Sequence, residues 1–291
     1  MKLKKSVKVT ILVLMIIIGM VTLLLILSNK KDTVKREKTT KKLTTEEKFK
    51  TECKKIDYCN SDNIERYINY YNKNKELEIE DVIVRVNLNL DYSFYTNTKE
   101  TPFLNKEYIL VNKYLSLGAD YVPDNLEKIP TEYARSGMML VNVAKEAFIK
   151  MAQKAKEDNH PVLAMSSYRS YDYQVNLYKR YVANDGVEAA DTYSARAGFS
   201  EHQTGLCVDV YDGKIDYTNF ETSESFYWMQ ENAHKYGFIL RFPKGKEHIT
   251  GYQYESWHYR YVGVDIATYI HKNNITFEEY YVKFIEPKYQ N

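Results

Sequence analysis

Ser200-Glu201-His202-Gln203-Thr204-Gly205-Leu206-Cys207-Val208-Asp209 is the stretch on which the reading turns, and Glu255-Ser256-Trp257-His258 completes it further along. A catalytic zinc site takes three protein ligands from His, Asp or Glu and keeps one position open for water. It also requires a carboxylate able to take a proton from that water. His202, Asp209 and His258 meet the first requirement, and Glu255 meets the second. His202 and Asp209 lie seven residues apart, a spacing at which a loop ligand and a ligand on the next strand converge. Gly205 between them permits the turn or close backbone approach that convergence needs. Glu255 and His258 are three apart, so one turn or tight bend sets a base beside a ligand.

Each of these residues alone is weak evidence, because a single histidine is more often structural than a ligand. Their conjunction within a surrounding pattern is what reverses that. Glu201 is a rival base because it adjoins His202, but strand and loop neighbours point apart, which ranks it below Glu255. Cys207 and Asp209 are two apart on a strand and share a face, so a thiolate there can approach the metal. A small buried residue is the plainer reading of Cys207.

Around this centre the chain alternates helices and short strands without regular βαβ order. Asp62 is placed to cap a helix through Ile64, Tyr67, Ile68 and Tyr71, and Glu80 to Val86 reads as a second. Pro, Asn and Gly punctuate 87–130, which is expected to wrap the core. Ala134 to Glu157 reads as one helix with a buried face. Pro161 to Ser167 reads as a strand, and Tyr171 to Val182 as a helix closed by Asp185-Gly186. Leu206 to Tyr211 is a strand, Ser223 to Tyr236 a helix ended by Gly237, and Phe238 to Phe242 and Trp257 to Val262 are strands. Ile266 to Phe284 is a Tyr-rich helix. The expected class is α+β, a small antiparallel sheet with flanking helices.

Hydrophobic content of 44% and charged content of 27% are globular values. The net charge of +2 hides an asymmetry. Residues 1–28 carry +4, residues 29–50 carry +5, and 51–291 carry −7. The basic excess thus lies in the N-terminal tether, which argues against nucleic acid as the partner of the folded part. Val9 to Ser28 is uncharged and apolar, long enough to span a bilayer, with lysines before it that favour a cytoplasmic N-terminus. A cleaved signal peptide is the alternative. The expected organisation is a cytoplasmic tail (1–8), a transmembrane anchor (9–28), a basic stalk (29–50), a helical lead-in (51–130) and the zinc domain (131–291). Cys53 and Cys59 either pair in a small disulfide loop or remain thiols.

Ser-x-His-x-x-Gly-x-x-x-Asp followed by Glu-x-Trp-His resembles the VanY/LdcB-type D-alanyl-D-alanine carboxypeptidases of the LAS group of zinc peptidases. The LAS group is named for lysostaphin, these carboxypeptidases and Sonic hedgehog. Ser167-Tyr168-Arg169-Ser170-Tyr171-Asp172-Tyr173-Gln174 and Asn232-Ala233-His234-Lys235-Tyr236-Gly237-Phe238 carry the resemblance further, over about Tyr108 to Val264. It implies an LAS/hedgehog-like fold and one zinc ion held by His202, Asp209 and His258, with Glu255 as catalytic base. It implies that Arg169 stabilises the oxygen at the scissile bond, and that Gln174 and Ser200 hold the substrate's terminal D-residue. Ser200 is also placed to cap its turn. Where the family usually has Ala, this chain has Cys207.

The expected activity is removal of a C-terminal D-alanine from peptidoglycan stem peptides by metal-activated water. The expected place is the cell membrane, single-pass, with the catalytic domain outside a bacterial, Gram-positive-type wall-building cell. An L,D-carboxypeptidase acting on the tetrapeptide, a wall endopeptidase and a zinc-stabilised binding module remain the alternatives.

Overall fold

A computed structural model describes residues 14–28 and 43–289 of the 291-residue chain. The expected tail (1–8), the first part of the expected span (9–13) and most of the expected stalk (29–42) lie outside the described residues. The chain divides into two units, Met1–Lys48 and Phe49–Asn291. In the first, α1 (residues 14–28) exposes apolar side chains such as Leu24 and Leu25. No helix among the described residues is long and apolar enough to cross a membrane.

The larger unit begins within α2 (Thr45–Cys53). Thr44 and Glu47 cap that helix reciprocally, each side chain accepting from the other's backbone N–H at 3.1 and 2.8 Å. Cys53 and Cys59 form a disulfide, which settles the choice the spacing left open. It sits beside a small core of Phe49, Tyr67, Val82, Ile83 and Val86, shared with α3 (Ile64–Lys73) and α4 (Ile79–Asn87). The expected cap is corrected. Asn60, not Asp62, accepts the N–H, and Asp62 is inside the 3₁₀ turn that precedes α3.

Residues 87–130 do wrap the core. They contribute only a short parallel pair, β1 (Lys99–Glu100) with β2 (Leu115–Ser116), and β3 (Leu126–Lys128). The expected helix from Ala134 is also corrected. Gly137, at φ +86°, breaks the backbone, β4 (Met139–Val141) pairs antiparallel with β3, and α5 (Asn142–Glu157) starts only then. Its Phe148, Met151, Ala152 and Ala155 are fully buried against the main sheet's core.

β5 (Leu163–Ser166) precedes α6 (Tyr171–Asp185) and α7 (Val187–Tyr193). β6 (Cys207–Tyr211), α8 (Glu224–Asn232), β7 (Phe238–Leu240), α9 (Glu247–Thr250) and β8 (His258–Tyr261) follow. The sheet is antiparallel throughout, in the order β5-β6-β8-β7, as the α+β expectation required. The expected C-terminal helix is split into α10 (Val264–Asn273) and α11 (Phe277–Tyr280). Asn274 takes a left-handed φ of +49° there, and Thr276 restarts the chain with its own capping box. Phe277 and Tyr281 then pack with Leu110, Ile239 and Val262 in a second core.

Candidate metal centre and catalytic cleft

His202 sits in a 3₁₀ turn, Glu201–Thr204, that stops at Gly205 with φ +65°. A Cβ at Gly205 would meet Leu126 Cδ2 at 2.8 Å and Val141 Cγ2 at 3.0 Å, so the position needs glycine for space as well as for φ. The turn delivers His202 beside the start of β6. Asp209 on β6 and His258 on β8 are direct register partners, so the pleat sends both side chains to one face. Glu255 lies in the bend before β8, with its backbone N–H donated to Phe242 O at 3.2 Å.

Ligand-capable atoms converge there. His202 Nδ1 is 2.6 Å from Ser167 O, so it carries the proton and leaves Nε2 as a lone pair. That Nε2 is 3.4 Å from Asp209 Oδ2, while Asp209 Oδ1 is 3.1 Å from His258 Nδ1. Glu255 Oε2 is 3.6 Å from the same Nδ1. His202 Nε2 and Asp209 Oδ1 are buried and have no hydrogen-bond partner. Orphaned buried acceptors are costly unless something binds them. Two imidazole nitrogens and a carboxylate around one point fit a zinc ion. The side chains of His202, Cys207 and His258 also place ligand-type atoms within 4.8 Å of one another. Cys207 therefore approaches the centre, as the shared strand face anticipated.

Burial pushes the Glu255 carboxyl up to about 7, against the pull of His258, His202 and Arg169. Burial would likewise raise the Cys207 thiol, but His202 and His258 bring it down to about 7.

Arg169 reaches the centre from the loop after β5. Its Nη2 donates to Asp209 Oδ2 and its Nη1 to Gln174 Oε1, both at 3.2 Å. Gln174 is 1% exposed, and its Nε2 donates to Ala195 O at 2.7 Å and Ser194 Oγ at 3.4 Å. The geometry thus has Gln174 aiming the guanidinium. Ser200 is buried and borders the cleft, and its side chain makes no capping bond to the turn it begins.

Glu201 is the residue whose placement adjacency alone could not supply. Its carboxylate meets Arg241, Arg260 and the far nitrogen of His258. Those partners are remote in sequence, so no local signal announces them. Of the remaining histidines, His234 and His271 stack on each other with centroids 3.8 Å apart.

The cleft has a volume of about 310 Å³ and is walled by Tyr181, Tyr193, Tyr217, Tyr252 and Trp257. A larger cavity of about 660 Å³ lies between the lead-in and the C-terminal segment. Its Arg66 is spent on Asp91, Asn89, Asn63 and Val86 O, and it gathers no comparable set of ligand atoms. The smaller cleft is the one with chemistry.

Residues 137–264 match the family model for VanY, D-alanyl-D-alanine carboxypeptidase. The chain is 38% identical over 216 residues to a putative carboxypeptidase, YodJ, of Bacillus subtilis (strain 168), covering 67% of this chain and 76% of that protein. Among solved structures it resembles the LdcB LD-carboxypeptidase, with TM-score 0.55 and 38% identity over 60% of this chain and 85% of that one. It also resembles a mutant of the vancomycin-resistance D,D-pentapeptidase VanY in complex with Zn(II), with TM-score 0.52 and 33% identity over 60% of this chain and 98% of that one.

Proposed function

This chain belongs to the VanY/LdcB family of peptidoglycan carboxypeptidases, and on that footing we propose that it is a zinc-dependent hydrolase removing a C-terminal D-alanine from stem peptides. The observation that carries the reading is the convergence of His202 Nε2, Asp209 and His258 Nδ1, with the Glu255 carboxylate 3.6 Å from that last nitrogen. The VanY relative in complex with Zn(II) supports zinc as the metal here.

When bound, zinc acts as a Lewis acid that lowers the pKa of water to roughly 7 and polarises the scissile carbonyl. His202, Asp209 and His258 would hold it. Glu255 takes the proton of the attacking water as the new C–O bond forms, then delivers it to the leaving amine as the amide C–N bond breaks. Arg169, aimed by Gln174, faces the negative charge that develops on the carbonyl oxygen. Gln174, Ser200 and the cleft's tyrosines, which line the same cleft, would bind the terminal D-residue. No covalent intermediate is required.

An L,D-activity on the tetrapeptide is the second reading, favoured by the 38% identity to the LdcB LD-carboxypeptidase. The same residues would serve it, since the scissile bond again precedes a terminal D-alanine. We place the enzyme outside the cell, tethered by the apolar segment that includes α1, whose side chains are exposed on every face. Incubating the full chain with stem pentapeptide and tetrapeptide, with and without a zinc chelator, tests the function. Chelator-sensitive loss of D-alanine from the pentapeptide supports the D,D-activity, and loss from the tetrapeptide supports the L,D-activity. Release from neither, with zinc bound, refutes both.

A further inference from the structure

His258 faces the centre with Nδ1, whereas His202 faces it with Nε2. A neutral imidazole has one N–H, and the partner of the outward nitrogen decides which nitrogen keeps the lone pair. For His202 that partner is Ser167 O. For His258 the outward nitrogen, Nε2, lies 3.4 Å from Glu201 Oε2. Both atoms are buried, and in the structure neither has a hydrogen-bond partner.

We propose that Glu201 is a positioning residue: it accepts the Nε2–H of His258 and so fixes the tautomer and ring orientation that turn Nδ1 toward the metal. The inference rests on reading His258 as a ligand. Glu201 Oε1 is held by Arg241 Nε at 2.8 Å and Arg260 Nη1 at 2.9 Å. Arg241 is clamped in turn by Glu278, with Nη1 donating to Oε2 at 2.9 Å and Nη2 donating to Oε1. Arg260 Nη2 is pinned to Ile109 O at 2.7 Å and Glu107 O at 3.0 Å.

All four charged side chains are buried, and two carboxylates balance two guanidinium groups. A cluster serving stability alone would be complete with Oε1 saturated. The spare oxygen aimed at Nε2 is what that account leaves over. Partners of this kind fix a ligating histidine's tautomer and raise its basicity. Because Glu278 belongs to α11, the C-terminal segment reaches the metal centre through Arg241 and Glu201.

Nitrogen NMR of histidine-labelled full chain, with and without added zinc, reads the tautomer directly, with His258→Gln assigning the signal. Protonation at Nε2 is expected, and protonation at Nδ1 overturns the proposal. In Glu201→Gln, chelator competition should show zinc affinity weakened about 10- to 100-fold, with kcat lowered and KM for the peptide unchanged. Unchanged zinc affinity in a folded Glu201→Gln also overturns it. If that variant does not fold, the wild-type tautomer still decides. Wild-type protein that binds zinc but cleaves no stem peptide would sink the hydrolase reading, while both of these readouts would still test the Glu201 role.

Discussion

Asp209 and His258 face each other across β6 and β8, with Oδ1 and Nδ1 3.1 Å apart. The separation of these two proposed ligands is therefore set by a sheet ladder rather than by a loop. Only His202 depends on a turn for its place, and that turn is locked by Gly205. Two ligands on adjacent strands make a rigid base for a metal.

Replacing Glu255 by Ala should leave zinc and fold intact and lower kcat by about 10²–10⁴-fold, because only the proton carrier is lost. Peptide release followed by mass, beside zinc analysis of the same sample, checks this. Undiminished turnover would remove Glu255 from the mechanism.

His202→Ala should bind zinc far more weakly, by more than about 100-fold, since two remaining ligands rarely hold it. Elemental analysis after dialysis measures the effect. Full occupancy would be inconsistent with a ligand role for His202.

Cys207→Ala should keep zinc affinity and activity, because His202, Asp209 and His258 already complete the three ligands of an open site. Cobalt substitution adds a spectroscopic check. A sulfur-to-cobalt charge-transfer band in the wild type, absent from the variant, would instead make the thiolate a fourth ligand.

Glu278→Ala strips Arg241 of its bidentate partner in a fully buried place, at a cost of about 3–5 kcal/mol in unfolding free energy. Urea unfolding measures it. The exposed pair of Lys156 and Glu132, 2.8 Å apart, is the comparison, and its removal should produce no measurable change. Equal effects at the two places would contradict the desolvation argument.

Alkaline pH should destabilise the fold. Burial raises the hydroxyls of Tyr95, Tyr114 and Tyr281, to about 12 for Tyr95. An unfolded tyrosine titrates near about 10, so above that pH the folded chain binds more protons than the unfolded one. The contribution is fully present below about pH 10 and is lost as pH rises through the folded values. Urea midpoints that stay level from about pH 9 to about pH 12 would refute it.

His202, Asp209, His258 and Glu255 could be singled out as candidates from the chain alone, because the chemistry of a hydrolytic zinc centre restricts which residue types can stand at such spacings, and the fold brings the four together. The antiparallel α+β class was legible for a similar reason, since short apolar runs between glycines leave few other options. Helix limits were less so. Gly137 and Asn274 each break a continuous apolar pattern through one left-handed or glycine-type φ, which hydrophobic periodicity does not register. What only tertiary structure decided is the outer face of the centre. Glu201 lies 40 residues from Arg241, and Arg241 lies 37 from Glu278. No local pattern links such residues. They meet because β7, β8 and α11 pack against one another, and burial then forces their charges to pair.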